Sequence, residues 1–510
     1  MAFLMIFVPI AIAGLAAAFP SNRLRPLFLP VAALAHLSMT ILVLARPDLR
    51  ATSAWLVLDP AASLVLLVVS VLFLFCSVYA IGYLRYRQER SNRVFVACLC
   101  GFLGIMSLVA WAHHLGLMWV AIEGTTLVTA PLIYFNNNKR SIEATWKYLL
   151  VGSVGIALAL LGTFFLAYSS LQQGLGATLQ LEDLLANAGL LSKPWLRASF
   201  ILLLVGYGTK MGLAPMHTWK PDAYGEAPGV IGAVFAGGVT SCAFLAFLRV
   251  WQVCNAAGEA FFTSRILLVM GLFSMAVAGL FMIGQRDFKR MLAYSSVEHM
   301  GILVLGLGIG GPALFGTMLH VVTNGMTKGV LFLSAGNIHR AFSSKNTDQV
   351  RGALRRLPVS GALFLLGFLA ITGSPPFGPF VSEFAILNGA FTAGRYLAAG
   401  LFLFFLLLVF IGMGKTVLKV VQGRPPAEVE TEAAAPNATA QAEPMAAPAA
   451  SGDGTAAAPA APASKPYRDG FLTVAPILAL ALIVLALGIW IPAPLDNLVK
   501  DAAAFVENRP

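Results

Sequence analysis

Residues 119–135 read WVAIEGTTLVTAPLIYF. Nearly every side chain around Glu123 is apolar or small. Such a stretch suits a bilayer, where a helix needs about 20 apolar residues to cross the hydrocarbon. A charge at the centre of that helix costs roughly 2.5–3.5 kcal/mol even on the lenient insertion scale. The fold class follows from the apolar run. The functional question follows from the carboxylate, which must face a bundle interior, a partner or water.

The same pattern fills the rest of the chain. Of its 510 residues, 58% are hydrophobic and 11% charged. Open sheet edges and irregular backbone cannot face lipid, so the sequence predicts an all-α polytopic membrane protein. Its apolar segments number about fourteen: 1–20, 26–45, 55–84, 93–111, 113–135, 142–170, 196–216, 227–252, 263–284, 292–311, 312–339, 359–393, 396–420 and 470–492. The first, MAFLMIFVPIAIAGLAAAFP, lacks the basic start of a signal peptide and reads as a retained helix.

The net charge of +11 comes from loops rather than from a nucleic-acid face. Lys and Arg concentrate after odd-numbered segments, as in Arg85, Arg87, Arg90 and Arg93, or Arg340, Lys345, Arg351, Arg355 and Arg356. Basic loops stay cytoplasmic, which places both termini outside a bacterial or archaeal cytoplasmic (inner) membrane. Residues 425–466 are rich in Ala and Pro and read as a disordered cytoplasmic spacer. Residues 177–190, ATLQLEDLLANAGL, read as a short amphipathic helix on the opposite surface.

Few charges remain inside segments: Glu123, Lys210, Lys328 and Glu383, with His217, His320 and Asn324 nearby. Arg249 lies near a segment end and reads as a structural ion pair or a snorkelling side chain. Lys210 belongs to GYGTKMGLAPMHTW (206–219) and Glu383 to ITGSPPFGPFVSEFAIL (371–387). Proline removes a backbone donor and clashes with the preceding turn, so both helices are expected to break. Broken helices in corresponding places point to an ion site between repeats. Here they are segments seven and twelve. That spacing predicts two five-helix repeats, segments 4–8 and 9–13, inverted because five is odd.

The expected organisation is therefore 1–92 for three N-terminal helices, 93–252 and 263–420 for the repeats, 421–469 for the linker and 470–510 for the last helix and tail. In the eleventh segment His320, Asn324 and Lys328 recur every four residues and line one face. Such a stripe can glue helices together or line a hydrated path, and the broken charged helices favour the path. His299, beside Glu298 at the start of the tenth segment, reads equally as an entrance or as an interfacial group. The five cysteines form no CxxC pair, and no Walker A or GxGxxG stands in context. No metal or redox cofactor is expected in this chain.

These stretches, with QRDFKRMLAYSSVEHMGIL (285–303) and GTKMGLAPMHTWKPDAYGEAPGVIGAV (208–234), carry a resemblance. The chain resembles the antiporter-like membrane subunits of complex I, membrane-bound hydrogenases and multisubunit cation/proton antiporters. LAYSSVEHMGI and AITGSPPFGPFVSEF look most like component F of the hydrogenase-4 type. The resemblance implies that Glu123 pairs with Lys210 as an electrostatic switch, that Lys328 lies on a central hydrophilic axis, and that Glu383 ends a proton path. It also implies other membrane and peripheral subunits as partners, with nickel-iron and iron-sulfur centres in those partners.

Some positions depart from the family's pattern. Cys242 stands near a usual lysine, Asn324 at a usual histidine, and Lys220 and Tyr224 at a usual leucine and histidine. Thr240 and Ser241 would have to support water in place of the missing lysine. The reading is a proton-translocating subunit of a redox-driven complex, of group-4 hydrogenase type. The alternatives are a complex I subunit, a subunit of a multisubunit sodium/proton antiporter, and a structural subunit with a decayed path. The chain ends 18 residues after its last segment, which leaves out the long lateral helix of the largest complex I relative.

Overall fold

A computed structural model describes residues 1–424 and 467–507, so the expected spacer at 425–466 lies outside the described residues. Each of the fourteen apolar segments is helical over most of its length. Ten helices among the described residues are long and apolar enough to cross a membrane by length and composition. The sole sheet among the described residues is a two-stranded hairpin joining Ala51–Ser53 to Leu56–Val57.

Contacts sort the connections into two sets. After odd-numbered segments, Arg25 bonds Asn92 at 2.6 Å, Arg90 bonds the Phe135 carbonyl at 3.1 Å, and Asn136 bonds the Glu226 carbonyl at 2.8 Å. Lys345 pairs with Glu226 at 2.6 Å, and Gly352 N–H reaches the Gln422 carbonyl at 2.7 Å. After even-numbered segments, the His113 N–H meets the Trp55 carbonyl at 2.8 Å and the Leu181 N–H meets the His113 carbonyl at 3.1 Å. One end of the bundle thus gathers the basic loops. This is the alternation that the Lys/Arg pattern predicts.

Helices are held together by small residues, because lipid gives apolar side chains no reason to prefer protein. A Cβ on Gly206 would lie 2.6 Å from the Ala159 Cβ, and one on Gly271 would lie 2.7 Å from the Gly301 carbonyl. The eleventh helix, Leu314–Phe342, runs through the middle, buried along nearly all its length. The eighth, Gly229–Ala256, is likewise buried throughout its apolar window and contains a π-turn at Phe235–Val239. Such turns displace the residues that follow them and recur at functional sites.

Both expected breaks are present, but glycine makes them. The seventh helix stops at Met211 with Gly212 at φ +79°, and resumes at Trp219–Glu226. The twelfth runs Pro358–Ile371, turns through Gly373 at φ +68°, and resumes at Gly378–Thr392. A left-handed residue closes a helix end without a Cβ clash. The prolines come afterwards, and Pro379 occupies the first turn of the new half-helix, where its missing N–H costs nothing.

Two surface elements differ from expectation. Residues 177–190 hold only Leu181–Ala186 and a 3₁₀ turn at Ala188–Leu190, because Gly176–Gln180 is drawn out to bridge to His114. After the last segment, Ala493–Glu507 forms a helix that buries Val499, Ala502 and Val506.

Arg249 has a structural role. Its guanidinium is buried and donates to Asp59 Oδ2 at 2.7 Å, to the Ala110 carbonyl at 3.2 Å and to the Ala112 carbonyl. Asp59 also caps the third helix, Pro60–Arg85, by accepting from the Ala62 N–H at 2.7 Å. Asp59→Ala leaves that guanidinium without a counter-charge and is expected to cost about 3–5 kcal/mol. Thermal unfolding of the purified protein checks this. The double change Asp59→Ala with Arg249→Leu should recover part of the loss, and no recovery would count against the pair.

Candidate functional site

The first cluster forms where the fifth, sixth and seventh helices meet. Lys210 is 3% exposed, in the last turn before the break. Its ammonium donates to Thr126 Oγ1 at 2.6 Å and to the Tyr148 hydroxyl at 2.9 Å. Thr126 in turn donates to Glu123 Oε2 at 3.0 Å. The Tyr148 hydroxyl continues to Thr129 Oγ1 at 2.8 Å. Glu123 and Lys210 are therefore joined through a hydroxyl rather than in direct contact. Thr126 was legible one turn from Glu123. Tyr148, on a different helix, was not.

Next come the carbonyls freed by the break. Trp219 Nε1 donates to the Thr209 carbonyl at 2.8 Å, and Lys220 Nζ to the Met211 carbonyl at 2.6 Å. Lys220 is fully buried, with Ser296 O at 3.4 Å on its far side. A titratable amine thus stands in mid-bundle, within electrostatic reach of Lys328. Cys242 is buried nearby in the eighth helix. Thr240 and Ser241 donate to the Ala236 and Gly237 carbonyls at 2.7 and 2.8 Å, so their protons serve the π-turn. His217 lies in the turn between the half-helices, against Tyr294 and Phe281, with Nδ1 unpartnered among the described residues.

The second cluster joins the tenth, eleventh and twelfth helices. Lys328 donates to Ser295 Oγ at 2.6 Å. His299 Nδ1 and His320 Nε2 are 3.0 Å apart, with the rings stacked at 5.1 Å. His320 Nδ1 continues to Ser382 Oγ at 2.9 Å, and Ser382 to Thr323 at 3.1 Å. Glu383 Oε1 stands 4.0 Å from His299 Nδ1, over the Gly373 turn. Asn324 is buried between His320 and Lys328 with its Oδ1 unpartnered among the described residues. His299, His320 and Glu383 bring one ligand atom each within 4.8 Å of one another, close enough to hold a cation as well as a proton.

His299 and Glu298 do not lie at the helix start. The tenth helix begins at Phe288, capped by Asp287, so both residues lie at mid-helix and are buried. Charged and hydrogen-bonding groups thus gather in two clusters, at Glu123–Lys210 and at Lys328–Glu383, with Lys220 bonded to backbone carbonyls of the seventh and tenth helices.

A family model described as the NADH:quinone oxidoreductase/Mrp antiporter transmembrane family matches residues 112–410, which hold both clusters. The chain belongs to this family. Among its relatives in that family and beyond, it is 39% identical to a hydrogenase-4 component F homolog of Methylacidiphilum infernorum, over 62% of this chain and 66% of that one. It is 31% identical to NADH-quinone oxidoreductase subunit N of Desulforudis audaxviator, over 72% of this chain and 75% of the relative. The fold is that of a chain in the Mrp complex from Dietzia sp. DQ12-45-1b, with a TM-score of 0.83 at 22% identity, covering 99% of this chain and 97% of that one.

Proposed function

We propose that this antiporter-family chain is a proton-translocating membrane subunit of a redox-driven complex of membrane-bound hydrogenase type. One observation carries the reading: ionisable and hydroxyl groups gather beside each of the two broken helices, and Lys220 reaches backbone carbonyls of both the seventh and the tenth helix. Buried intramembrane charges are costly and are retained for ion pathways. The sequence similarity to a hydrogenase-4 component F homolog supports the hydrogenase assignment.

In this reading fourteen helices cross the bacterial or archaeal inner membrane, with two inverted five-helix repeats and both termini outside. Glu123, Lys210, Lys328 and Glu383 exchange the proton. Lys220, His299, His320 and Asn324 line its route. When the counter-charge near a buried lysine is lost, desolvation favours release of the lysine's proton. Electron transfer belongs to partner subunits, where nickel-iron and iron-sulfur centres reside, and it drives this chain by shifting its charges.

The test is purification of the intact complex from its native membrane. We expect nickel and iron-sulfur iron in the co-purifying subunits, and hydrogen-dependent acidification changes in reconstituted vesicles. A complex without redox centres that exchanges sodium for protons would overturn the reading.

A further inference from the structure

Glu298 is 1% exposed, and neither carboxylate oxygen has a hydrogen-bond partner among the described residues. A buried carboxylate left in this state persists where a proton or a mobile counter-charge uses it. We propose that Glu298 is the switchable counter-charge of Lys328, the second-half counterpart of Glu123 with Lys210. The proposal rests on the proton-translocation reading above.

Local geometry is the first support. In the fifth helix Thr126, three residues from Glu123, holds the Lys210 ammonium at 2.6 Å. In the tenth helix Ser295, three residues from Glu298, holds the Lys328 ammonium at the same distance. Residues three apart share a helix face, so each lysine is anchored one turn from a carboxylate. Lys328 and Glu298 are within electrostatic reach of each other.

Spacing along the chain is the second. The fifth and tenth helices occupy equivalent places if segments 4–8 and 9–13 are repeats, as do the broken seventh and twelfth. Glu123 precedes Lys210 by 87 residues, and Glu298 precedes Glu383 by 85. The spacing thus equates Glu298 with Glu123, while the lysine of the second half comes from the eleventh helix rather than from the break.

The third is what lies beyond Glu298. Its Oε2 is 3.7 Å from His299 Nε2, and the other side of that ring faces His320 and Glu383. Glu298 therefore stands between a lysine and an imidazole relay. While it is anionic, Lys328 keeps its proton. When protonated His299 passes its proton to Glu298, an N–H bond breaks, an O–H bond forms, and the imidazole becomes neutral. Lys328 then loses its counter-charge and gives its proton to a water on the path: an N–H bond of the ammonium breaks, an O–H bond forms, and the positive charge moves to the water. Both transfers conserve charge.

The experiment uses the intact complex in vesicles, with wild type, Glu298→Gln, Glu298→Asp, Lys328→Gln, the double Glu298→Gln/Lys328→Gln, and Glu383→Gln as reference. Glu298→Gln is expected to assemble and to lower proton flux at least about tenfold, while Glu298→Asp retains a substantial part. The double change should be no worse than Lys328→Gln alone, because the two groups act as one unit. Flux within about twofold of wild type for Glu298→Gln, beside a silent Glu383→Gln, would overturn the proposal and leave the path intact. Full flux in both would overturn the proton-translocation reading itself. If Glu298→Gln fails to assemble, the infrared carboxyl band elicited by a pH jump decides. A band that shifts in Glu298→Asp supports the role, and one that does not shift refutes it.

Discussion

Glu383→Gln is expected to assemble in normal yield and to lose about a hundredfold in proton translocation, the scale of removing a positioned proton-transfer group. The amide keeps the size and most of the hydrogen-bonding capacity of the acid but cannot ionise. The carboxylate lies over the Gly373 turn, where the twelfth helix is interrupted, and faces the His299–His320 pair. Replacing it removes the acid at the end of the relay while leaving the turn's own backbone hydrogen bonds in place. Gln should therefore separate transport from folding. A role confined to anchoring the broken helix would instead lower the yield of assembled complex and spare flux per complex. Yield and flux measured on one preparation distinguish these outcomes. Glu383→Asp should keep part of the activity, since the ionisable group survives on a shorter arm.

At the first cluster the largest effects should come from isolating Lys210. Glu123→Gln leaves a nearly fully buried ammonium with only hydroxyl partners. Losing a charge partner that is reached through one hydroxyl costs about 1–3 kcal/mol. Glu123 itself is only partly buried, so Lys210→Met should cost less stability than Glu123→Gln while abolishing transport equally. The double change should be milder than the two single losses combined, with a coupling of about 0.5–3 kcal/mol. Thr126→Val tests the bridge. It keeps the shape, removes the hydroxyl that joins the two charges, and should impair transport with both charges still present. Thermal unfolding and vesicle flux together measure these effects. Strict additivity, or full activity in Thr126→Val, would refute a coupled pair.

The likeness between the two clusters also bears on how the chain works. Each places a lysine, a hydroxyl and a carboxylate beside a helix stopped by glycine. A helix stop leaves carbonyls without intrahelical donors. At the first break Lys220 satisfies the Met211 carbonyl, and Trp219 adds a second donor to the Thr209 carbonyl. Lys220 thereby ties the half-helix to a buried titratable amine.

The sequence by itself determined the membrane class, the helical segments, the two breaks and the four costly charges. Each of these follows from local chemistry: apolar run length, glycine and proline beside a charge, and the price of a carboxylate in hydrocarbon. Even the basic-loop alternation needed only residue order. Tertiary structure decided the partners. Arg249 could not be matched to Asp59, because 190 residues separate them and nothing local links the two. Tyr148 entered the Lys210 cluster only because small residues let the sixth and seventh helices approach closely. Glu298 and His299 looked like helix-start residues until Asp287 was seen to cap the tenth helix at Phe288, which moves both to mid-bundle. Lys220 is only a departure from the family's pattern in the sequence, which shows which residue is present, whereas its contacts depend on the Met211 carbonyl that the folded break sets free.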